Sequence, residues 1–347
     1  MNYLSVCSGI EAASVAWHPL GWNCVGVSEI EPFPSAVLAH HYPSIPNFGD
    51  MTKFKEWKIN GTVDLLVGGT PCQSFSVAGL RQGLKDPRGN LMLTFLAIAE
   101  HFKPKWILWE NVFGVLSSNG GKDFGCLLGG LGELGYGFAY RVLDAQWCRT
   151  HRHPRAVPQR RRRVFVVGCA GDHISAAKVL FERESLSRYS APRRATREGT
   201  AVDVEASVAT CWWDGENTAS TLTKSNANGA QRMPDKDNFG AVLQPVAIPI
   251  MPQAMQSEGW RVGKENQDGR GNGLGVHAST MQVRRLTPTE CERLQGFPDG
   301  WTAIPWKKKP ADQCPDGPRY KALGNSMAVN CMEWLGERIQ AVESGTL

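Results

Sequence analysis

The first half of the chain alternates short apolar segments with longer segments in which apolar residues recur every three or four positions. Short apolar runs are typical of buried strands, and the second spacing is typical of helices packed on a sheet. The predicted strands are residues 3–7, 23–27, 63–67 and 106–109, and the predicted helices are residues 11–17, 34–41 and 91–101. This alternation favours an α/β fold with a parallel, Rossmann-like sheet.

Two further apolar segments, residues 141–143 and 164–167, are predicted to be antiparallel neighbours at one edge of that sheet. The composition and the hydrophobic pattern change after about residue 171. Residues 172–282 are rich in Ser, Thr, Asn and Gly and show weak periodicity. We expect a smaller, loop-rich domain there. Order returns near residue 284, where Thr287-Pro288-Thr289-Glu290 has the form of a helix start, and a last helix is expected over residues 327–342.

Length and composition set broad limits on the class of protein. The 347 residues suffice for two domains, and 42% hydrophobic with 20% charged residues is ordinary for a globular protein. No apolar run reaches the length of a membrane span. The chain enters its first predicted strand without the charged and apolar regions of a signal peptide, so we expect a cytoplasmic protein.

The positive charge is unevenly distributed along the chain. Residues 172–282 contain 12 Lys and Arg against 13 Asp and Glu, a net charge of −1, whereas the rest of the chain carries +6. Residues 145–171 contain seven arginines and two histidines but no Asp or Glu. This run is either a solvated basic face or a surface that binds phosphate.

The ten cysteines are dispersed, with no Cys-x-x-Cys pair that would indicate a metal or redox centre, and no metal is expected. Nine of them are interpreted as small buried apolar residues. Cys72 is different, because it lies in Gly68-Gly69-Thr70-Pro71-Cys72-Gln73, a loop that directly follows a predicted strand. The carboxyl end of a parallel strand is where α/β enzymes place reactive groups.

Two more motifs follow predicted strands or lead into them. Trp109-Glu110-Asn111-Val112 places a carboxyl group at the end of the strand 106–109, although a capping role is the alternative. Gln159-Arg160-Arg161-Arg162-Arg163 leads into the strand 164–167, and alternation would put Arg161 and Arg163 on one face.

In this order and spacing, Pro-Cys-Gln, Glu-Asn-Val and Gln-x-Arg-x-Arg resemble the motifs of the DNA cytosine-5 methyltransferase family of the bacterial and phage type. Three more segments resemble motifs of the same family: Ser5-Val6-Cys7-Ser8-Gly9-Ile10, the stretch from Arg284 to Pro298, and Leu323-Gly324-Asn325-Ser326. The resemblance covers about residues 1–170 and 284–335. It implies a methyltransferase sheet formed by residues 1–171 and 283–347, with residues 172–282 as the target-recognition domain.

The resemblance also implies roles for individual residues. Cys72 would attack cytosine C6 as a thiolate, so that C5 can accept a methyl group from S-adenosylmethionine, leaving S-adenosylhomocysteine. Glu110 would protonate N3, and Arg163 with Arg161 would hold the cytosine O2 and a nearby phosphate. The other residues expected at the substrate are Gln73, Ser76, Asn111 and Gln159.

On the cofactor side, Glu29 would accept hydrogen bonds from the ribose hydroxyls, Ile30 would pack on the adenine, and Asp50 with Met51 would read it. Further cofactor contacts are expected at Ser8, Gly9, Ile10, Gly69, Pro71, Leu91, Asn325 and Ser326. One departure stands out. The family usually continues its first motif with Gly-Gly, whereas Glu11-Ala12 follows here.

A thiol cannot reach C6 inside a duplex, so the resemblance implies that the cytosine is flipped out, with residues 74–90 as a lid. The expected partner is double-stranded DNA, bound by a monomer, and a companion restriction endonuclease is compatible with the family but not required. Within the recognition domain, one Gly-containing turn carries Asn226, Asn228, Gln231 and Arg232, which can read base edges. Three alternatives stay open: an RNA methyltransferase resembling the tRNA enzyme of this family, a non-catalytic DNA-binding relative, and a cysteine hydrolase.

Overall fold

The computed structural model describes residues 1–71, 91–181 and 286–347, together with the backbone of two strands, Ala241–Val246 and Thr280–Arg285. Expectations for residues 72–90 and for the turn at residues 226–232 lie outside the described residues.

A six-stranded sheet forms the centre of the molecule. Its strands are β1 (Asn2–Val6), β2 (Asn23–Ser28), β3 (Leu65–Gly68), β4 (Trp106–Val112), β5 (Tyr136–Asp144) and β6 (Arg162–Ala170), in the spatial order β2-β1-β3-β4-β6-β5. The first four strands pair in parallel, and β6 is antiparallel to both β4 and β5. The predicted α/β fold is confirmed, including the antiparallel pair at one edge.

Helices cover both faces of the sheet. They are α1 (Ala12–Trp17), α2 (Pro32–His41), α3 (Leu91–Phe102), α4 (Lys122–Glu133), α5 (His173–Leu180), α6 (Pro288–Gln295), α7 (Asp316–Asn325) and α8 (Val329–Glu343). The sequence did not predict α4, whose four glycines lower helix propensity. This helix forms because Phe124, Leu127 and Leu131 bury an apolar stripe against the sheet.

Alternation along each strand divides the core into two layers. On β4, Trp106 and Leu108 pack into the layer that contains α1 and α8, whereas Ile107 and Trp109 pack into the layer that contains α3 and α4. Since all four side chains are fully buried, β4 lies in the middle of the molecule and fixes the position of the residues that follow it.

The C-terminal segment returns to the first helix. Trp17 on α1 donates a hydrogen bond to the carbonyl of Met332 on α8 (2.7 Å), and Trp106 donates to the carboxylate of Glu343 (2.8 Å). The predicted start of α6 is confirmed as a capping box, in which Thr287 and Glu290 satisfy each other's backbone N–H groups. The two ends of the sequence therefore pack together in one layer on the sheet.

The first part of the segment that begins at residue 172 still packs against the sheet. Helix α5 packs against β5, β6 and α8, and Arg338 donates a hydrogen bond to the carbonyl of Val179 (2.5 Å). Farther along, β7 (Ala241–Val246) pairs antiparallel with β8 (Thr280–Arg285), which crosses the expected boundary at residue 282. Among the described residues, no helix is long and apolar enough to span a bilayer.

Candidate active site

The carboxyl ends of β1, β3 and β4 meet the start of α8 around one pocket. It encloses about 390 Å³, including the part open to solvent. Its lining residues are Ser5, Cys7, Ser8, Gly9, Glu11, Ala12, Ala13, Val67, Gly69, Glu110, Asn325, Ser326 and Met327. Three segments that resemble family motifs, from Ser5 near one end of the sequence to Ser326 near the other, therefore face one space.

Glu110 is the carboxyl group at the base of this pocket. Only 9% of the residue is exposed, and its Oε1 lies 3.2 Å from Nε of Arg163. Burial raises the pKa of Glu110 above its ordinary value, and this effect exceeds the opposing effect of Arg163 and Arg161. A carboxyl group with a raised pKa keeps its proton to a higher pH than an exposed glutamate does, which suits a general acid.

The end of β4 also holds the loop that precedes Cys72. Trp109 donates a hydrogen bond to the hydroxyl of Thr70 (3.0 Å), and the amide of Asn111 donates to the Thr70 carbonyl (2.8 Å). A Cβ atom at Gly69 would lie 3.1 Å from the Glu110 carboxylate, so glycine permits this close approach. The amide of Asn111 is thus engaged with the loop, whereas Cys72, Gln73, Ser76 and the lid 74–90 lie outside the described residues.

Arg161 and Arg163 contact different groups. Arg163 faces Glu110, but Arg161 is buried and donates hydrogen bonds to the carbonyls of Gly324 (3.2 Å) and Ser326 (2.5 Å). Arg161 therefore fixes the C-terminal segment that lines the pocket. Gln159 is fully buried, and among the described residues its side-chain amide has no hydrogen-bond partner.

The basic run 145–171 is divided between the interior and the surface. Arg152 and His153 both contact the carboxylate of Glu333 on α8, at 2.8 and 2.7 Å. Arg162 is exposed, and its guanidinium lies 4.6 Å from the centre of the Phe113 ring. Part of the run thus stabilises the fold, and part is exposed on the surface.

The first motif forms a tight turn between β1 and α1. Gly9 has a φ of 57°, and its N–H donates a hydrogen bond to Oε2 of Glu29 at the end of β2 (2.8 Å). The other oxygen of Glu29 accepts from the N–H of Glu31 (2.7 Å). Ile10 points away from the pocket into the core, and its carbonyl accepts a hydrogen bond from Trp301 (3.1 Å).

An apolar surface lies next to Glu29. Ile30 is 69% exposed, whereas Met51 is buried and its sulfur accepts a weak hydrogen bond from the Cys7 thiol (3.5 Å). Asp50 is exposed and caps the short 3₁₀ helix Met51–Glu56 by accepting from Thr52 (2.9 Å). The exposed side chain of Ile30, next to the Glu29 carboxylate, can pack against the face of an aromatic ring of a ligand.

Sequence reasoning missed several residues that position this region. The side chain of Asn47 accepts from the N–H groups of Glu29 and Gly49, each at 3.0 Å, and thereby ties the loop before Asp50 to the end of β2. Met327 lines the pocket beside the predicted Asn325 and Ser326. Leu91, by contrast, packs against the core layer of α3 and α4 rather than lining the pocket.

Cys7 lines the pocket, but its burial makes it unlike a reactive cysteine. The pKa of the Cys7 thiol is raised to about 12 by desolvation and by the charge of Glu29, which keeps it protonated. Six other described cysteines are buried, and Cys24 is half-buried, as expected for small apolar residues. The described residues contain no group of three or more His, Cys, Asp or Glu side chains that could hold a metal ion.

Comparison with known proteins places the chain among methyltransferases. The model of the family "C-5 cytosine-specific DNA methylase" matches residues 1–341. A DNA N-6-adenine-methyltransferase of Escherichia phage P1 is 36% identical, over 97% of this chain and 61% of its own length. The chain therefore spans less than two thirds of that relative.

A Type II methyltransferase of Lactococcus lactis subsp. cremoris, M1.ScrFI, is 30% identical over 91% of this chain and 71% of its own length. Among solved structures, the S. pombe Dnmt2 methyltransferase superposes with a TM-score of 0.59, covering 99% of both chains at 18% identity. At 18% identity, the likeness to the Dnmt2 structure shows a shared fold.

Proposed function

The chain belongs to the C-5 cytosine-specific DNA methylase family, and we propose that it methylates C5 of a flipped-out cytosine in duplex DNA. Members of this family take their methyl group from S-adenosylmethionine. The observation that carries the proposal is the buried Glu110 carboxyl, held beside Arg163 and against the loop that leads to Cys72.

Glu110 is suited to donate a proton to cytosine N3. Its raised pKa keeps the carboxyl protonated at a pH where an exposed glutamate would be ionised. As the ring accepts a nucleophile at C6, protonation of N3 withdraws the negative charge that develops there. Arg163, 3.2 Å from the same carboxyl, would hold the O2 edge of the base in register with that proton.

Cys72 supplies the nucleophile in this proposal. Its thiolate would add to C6, which makes C5 able to accept the methyl group that the cofactor would supply; loss of the C5 proton to a base would then break the Cys72–C6 bond and restore the thiolate. Trp109 and Asn111 support this role by fixing Thr70, two residues before Cys72. Asn111 and Arg161 thus act as positioning residues, the first on the nucleophile loop and the second on the segment 324–326.

The residues around the β1–α1 turn fit S-adenosylmethionine. Glu29 lies at the end of β2, where a ribose acid is expected, and Ile30 next to it offers the exposed apolar surface that an adenine ring requires. Asp50 and Met51 follow the loop that Asn47 ties to Glu29, and Ser8, Gly9, Gly69, Asn325 and Ser326 line the pocket. When bound, the cofactor supplies an electrophilic methyl group; no metal is needed for this chemistry.

Duplex DNA is the substrate that the relatives favour. M1.ScrFI is named as a Type II methyltransferase, a class that belongs to restriction-modification. Arg162, the neighbour of Arg163 in the basic run, is exposed with its guanidinium 4.6 Å from the centre of the Phe113 ring, and it can contact DNA phosphates. A cytoplasmic monomer that acts on the host's or a phage's DNA fits this role, with or without a companion endonuclease.

Two other substrates are distinguishable by product. The P1 relative is named for N6 of adenine, an exocyclic amine that can accept a methyl group without a covalent protein adduct. An RNA cytosine would pass through the same adduct as DNA.

Incubation with labelled S-adenosylmethionine, followed by mass spectrometry of the nucleosides, separates these products. We expect 5-methyldeoxycytidine from duplex DNA, and bisulfite sequencing then gives its position. N6-methyldeoxyadenosine, or 5-methylcytidine from RNA with none from DNA, would overturn the proposal.

A further inference from the structure

Glu11 occupies an unusual place for a carboxylate. It lines the pocket, yet it is only 1% exposed, and its backbone adopts the left-handed conformation with φ 64° and ψ 62°. This conformation suits glycine and strains other residues. Glu11 is the N-cap residue of α1, and the turn alone does not explain why a glutamate stands in this strained, buried position.

The hydrogen-bond partners of Glu11 are all neutral. Oε2 accepts from the hydroxyl of Ser5 (2.8 Å), and Oε1 accepts from the N–H and the hydroxyl of Ser14 (3.2 and 3.1 Å). The Ser14 contacts cap α1, which accounts for one oxygen. The Ser5 contact holds the other oxygen on the side of β1, whose residues also line the pocket.

The titratable groups around Glu11 do not neutralise it. They are the carboxylate of Glu29, the phenols of Tyr3 and Tyr42, and the thiol of Cys24. Among the described residues, no Lys, Arg or His forms an ion pair with Glu11. Buried charges in proteins are ordinarily paired, so an ionised Glu11 would be stabilised by a cation bound in the pocket.

The pocket contains Glu11 and Glu110 together, so it holds the end of the ligand at which chemistry occurs. We propose that Glu11 is a specificity-determining residue that favours the positively charged sulfonium of S-adenosylmethionine over the neutral thioether of the spent cofactor. The inference rests on the proposed function, because it takes this cofactor as the ligand. Glu11 thereby helps the protein exchange product for fresh methyl donor.

The protonation of Glu11 is consistent with this role. Burial raises its pKa to about 7, against the lowering effect of its hydrogen bonds to Ser5 and Ser14. A cation bound in the pocket favours the ionised form. Affinity for S-adenosylmethionine should therefore rise as the pH increases from 6 to 8, whereas affinity for S-adenosylhomocysteine should change less.

Calorimetric titration of the full chain with each ligand tests the inference. At pH 8, Glu11→Gln keeps the size of the side chain and an acceptor for Ser14 but removes the charge. We expect it to weaken S-adenosylmethionine roughly ten- to hundredfold, as for loss of a charged partner, and S-adenosylhomocysteine by less than about threefold. A helix-capping role alone would change both affinities by the same factor.

Equal losses for the two ligands, or equal affinity ratios in wild type and variant, would overturn the inference while leaving the proposed function in place. Failure of the wild type to bind either ligand would instead overturn the proposed function. If Glu11→Gln does not fold, the wild type alone decides, because a selectivity for the sulfonium that is the same at pH 6 and pH 8 contradicts the role of Glu11.

Discussion

Arg163 reaches from β6 to the end of β4, where its Nε lies 3.2 Å from Oε1 of Glu110. Burial of the Glu110 carboxyl and the nearby guanidinium of Arg163 have opposite effects on the carboxyl proton. Burial raises the pKa of the carboxyl and the guanidinium lowers it, and burial has the larger effect. The pair therefore places a carboxyl group with a raised pKa beside a positive charge, and both can face the same edge of a cytosine.

Replacing Arg163 should move the pH profile of the reaction. Proton donation needs protonated Glu110, so the rate falls as the pH rises through the pKa of that carboxyl. Because Arg163 lowers this pKa, Arg163→Met should shift the falling limb of kcat to higher pH, in addition to raising KM. Methyl transfer measured from pH 6 to pH 10 checks this.

Two controls identify the groups involved. Arg162→Met removes an exposed neighbour that stacks on Phe113, and it should leave the limb in place. Glu110→Gln should lower kcat roughly 10²- to 10⁴-fold and abolish the limb, since glutamine has no acidic proton. A limb that persists in Glu110→Gln would belong to another residue.

Cys72→Ala should abolish methylation while S-adenosylmethionine still binds, because the nucleophile is lost and the cofactor pocket is formed by other residues. Duplex containing 5-fluorocytosine should trap a covalent complex with the wild type, since fluorine at C5 cannot leave as a proton. Peptide mapping then locates the adduct.

Cys7 is the matched control for the trapping experiment. It lines the pocket, but burial raises the pKa of its thiol to about 12, so Cys7→Ala should still form the adduct. An adduct on Cys7, or turnover that survives in Cys72→Ala, contradicts the proposed nucleophile.

Glu29→Ala should weaken cofactor binding far more than it slows methyl transfer at saturating cofactor. Loss of a charged acceptor for hydroxyl groups costs about 1.5–3 kcal/mol, and the hydrogen bond from Gly9 is lost as well. Calorimetry gives the dissociation constant. Glu31→Ala is the control, because the Glu31 carboxylate points to Lys321 (2.6 Å) on the surface. If Glu31→Ala weakens binding and Glu29→Ala does not, the ribose acid is Glu31.

Glu11→Gln should stabilise the cofactor-free protein at alkaline pH. The pKa of Glu11 is about 7 in the folded chain and near 4.5 when unfolded, so the folded state binds more protons between these values. The wild type therefore loses about 3 kcal/mol of stability as the pH rises from 4.5 to 7. Glu11→Gln has no carboxyl to titrate and does not lose this stability. Its melting temperature should therefore match that of the wild type near pH 4.5 and exceed it at pH 8. Equal differences at both pH values would contradict a buried, titrating Glu11.

Sequence patterns located the site because its residues follow strands. Glu29 directly follows β2 and Glu110 lies in the last half of β4, and the apolar runs of the sequence predict both strands, although β4 extends to Val112 rather than ending at residue 109. The parallel order of the strands then brings their carboxyl ends together. Local pattern was therefore enough to predict that these residues lie near strand ends, and their roles stay predictions.

Other features depend on contacts that no local pattern contains. Arg161 and Arg163 differ by two positions, yet Arg161 binds the carbonyls of residues 324 and 326, which return from the far end of the chain. The conformation of Glu11 is set by Ser5 and Ser14 together. Helix α4 forms through burial against the sheet despite its glycines. Each of these is a tertiary effect.

The last prediction concerns sequence specificity. Base-edge contacts carry sequence information, whereas phosphate contacts position the protein. Residues 172–282 have a net charge of −1 and are rich in Asn, Gln, Thr and Arg, so this segment is suited to reading bases rather than to gripping the backbone. We expect that exchanging it for the matching segment of a relative transfers the relative's recognition sequence.

The structure refines where the exchange should be made. Helix α5 belongs to the packing of the sheet, because Arg338 binds its last turn and α8 lies against it. An exchange that starts after residue 181 keeps these contacts, whereas one that starts at residue 172 breaks them and should lower the melting temperature. Bisulfite sequencing of DNA from cells that express each chimera gives the methylated site. Methylation of the relative's site supports the assignment of 182–282 as the reading segment, with Asn226, Asn228, Gln231 and Arg232 as the first residues to substitute. A stable, active chimera that still marks the original site would contradict it, and specificity would then be sought in residues 74–90.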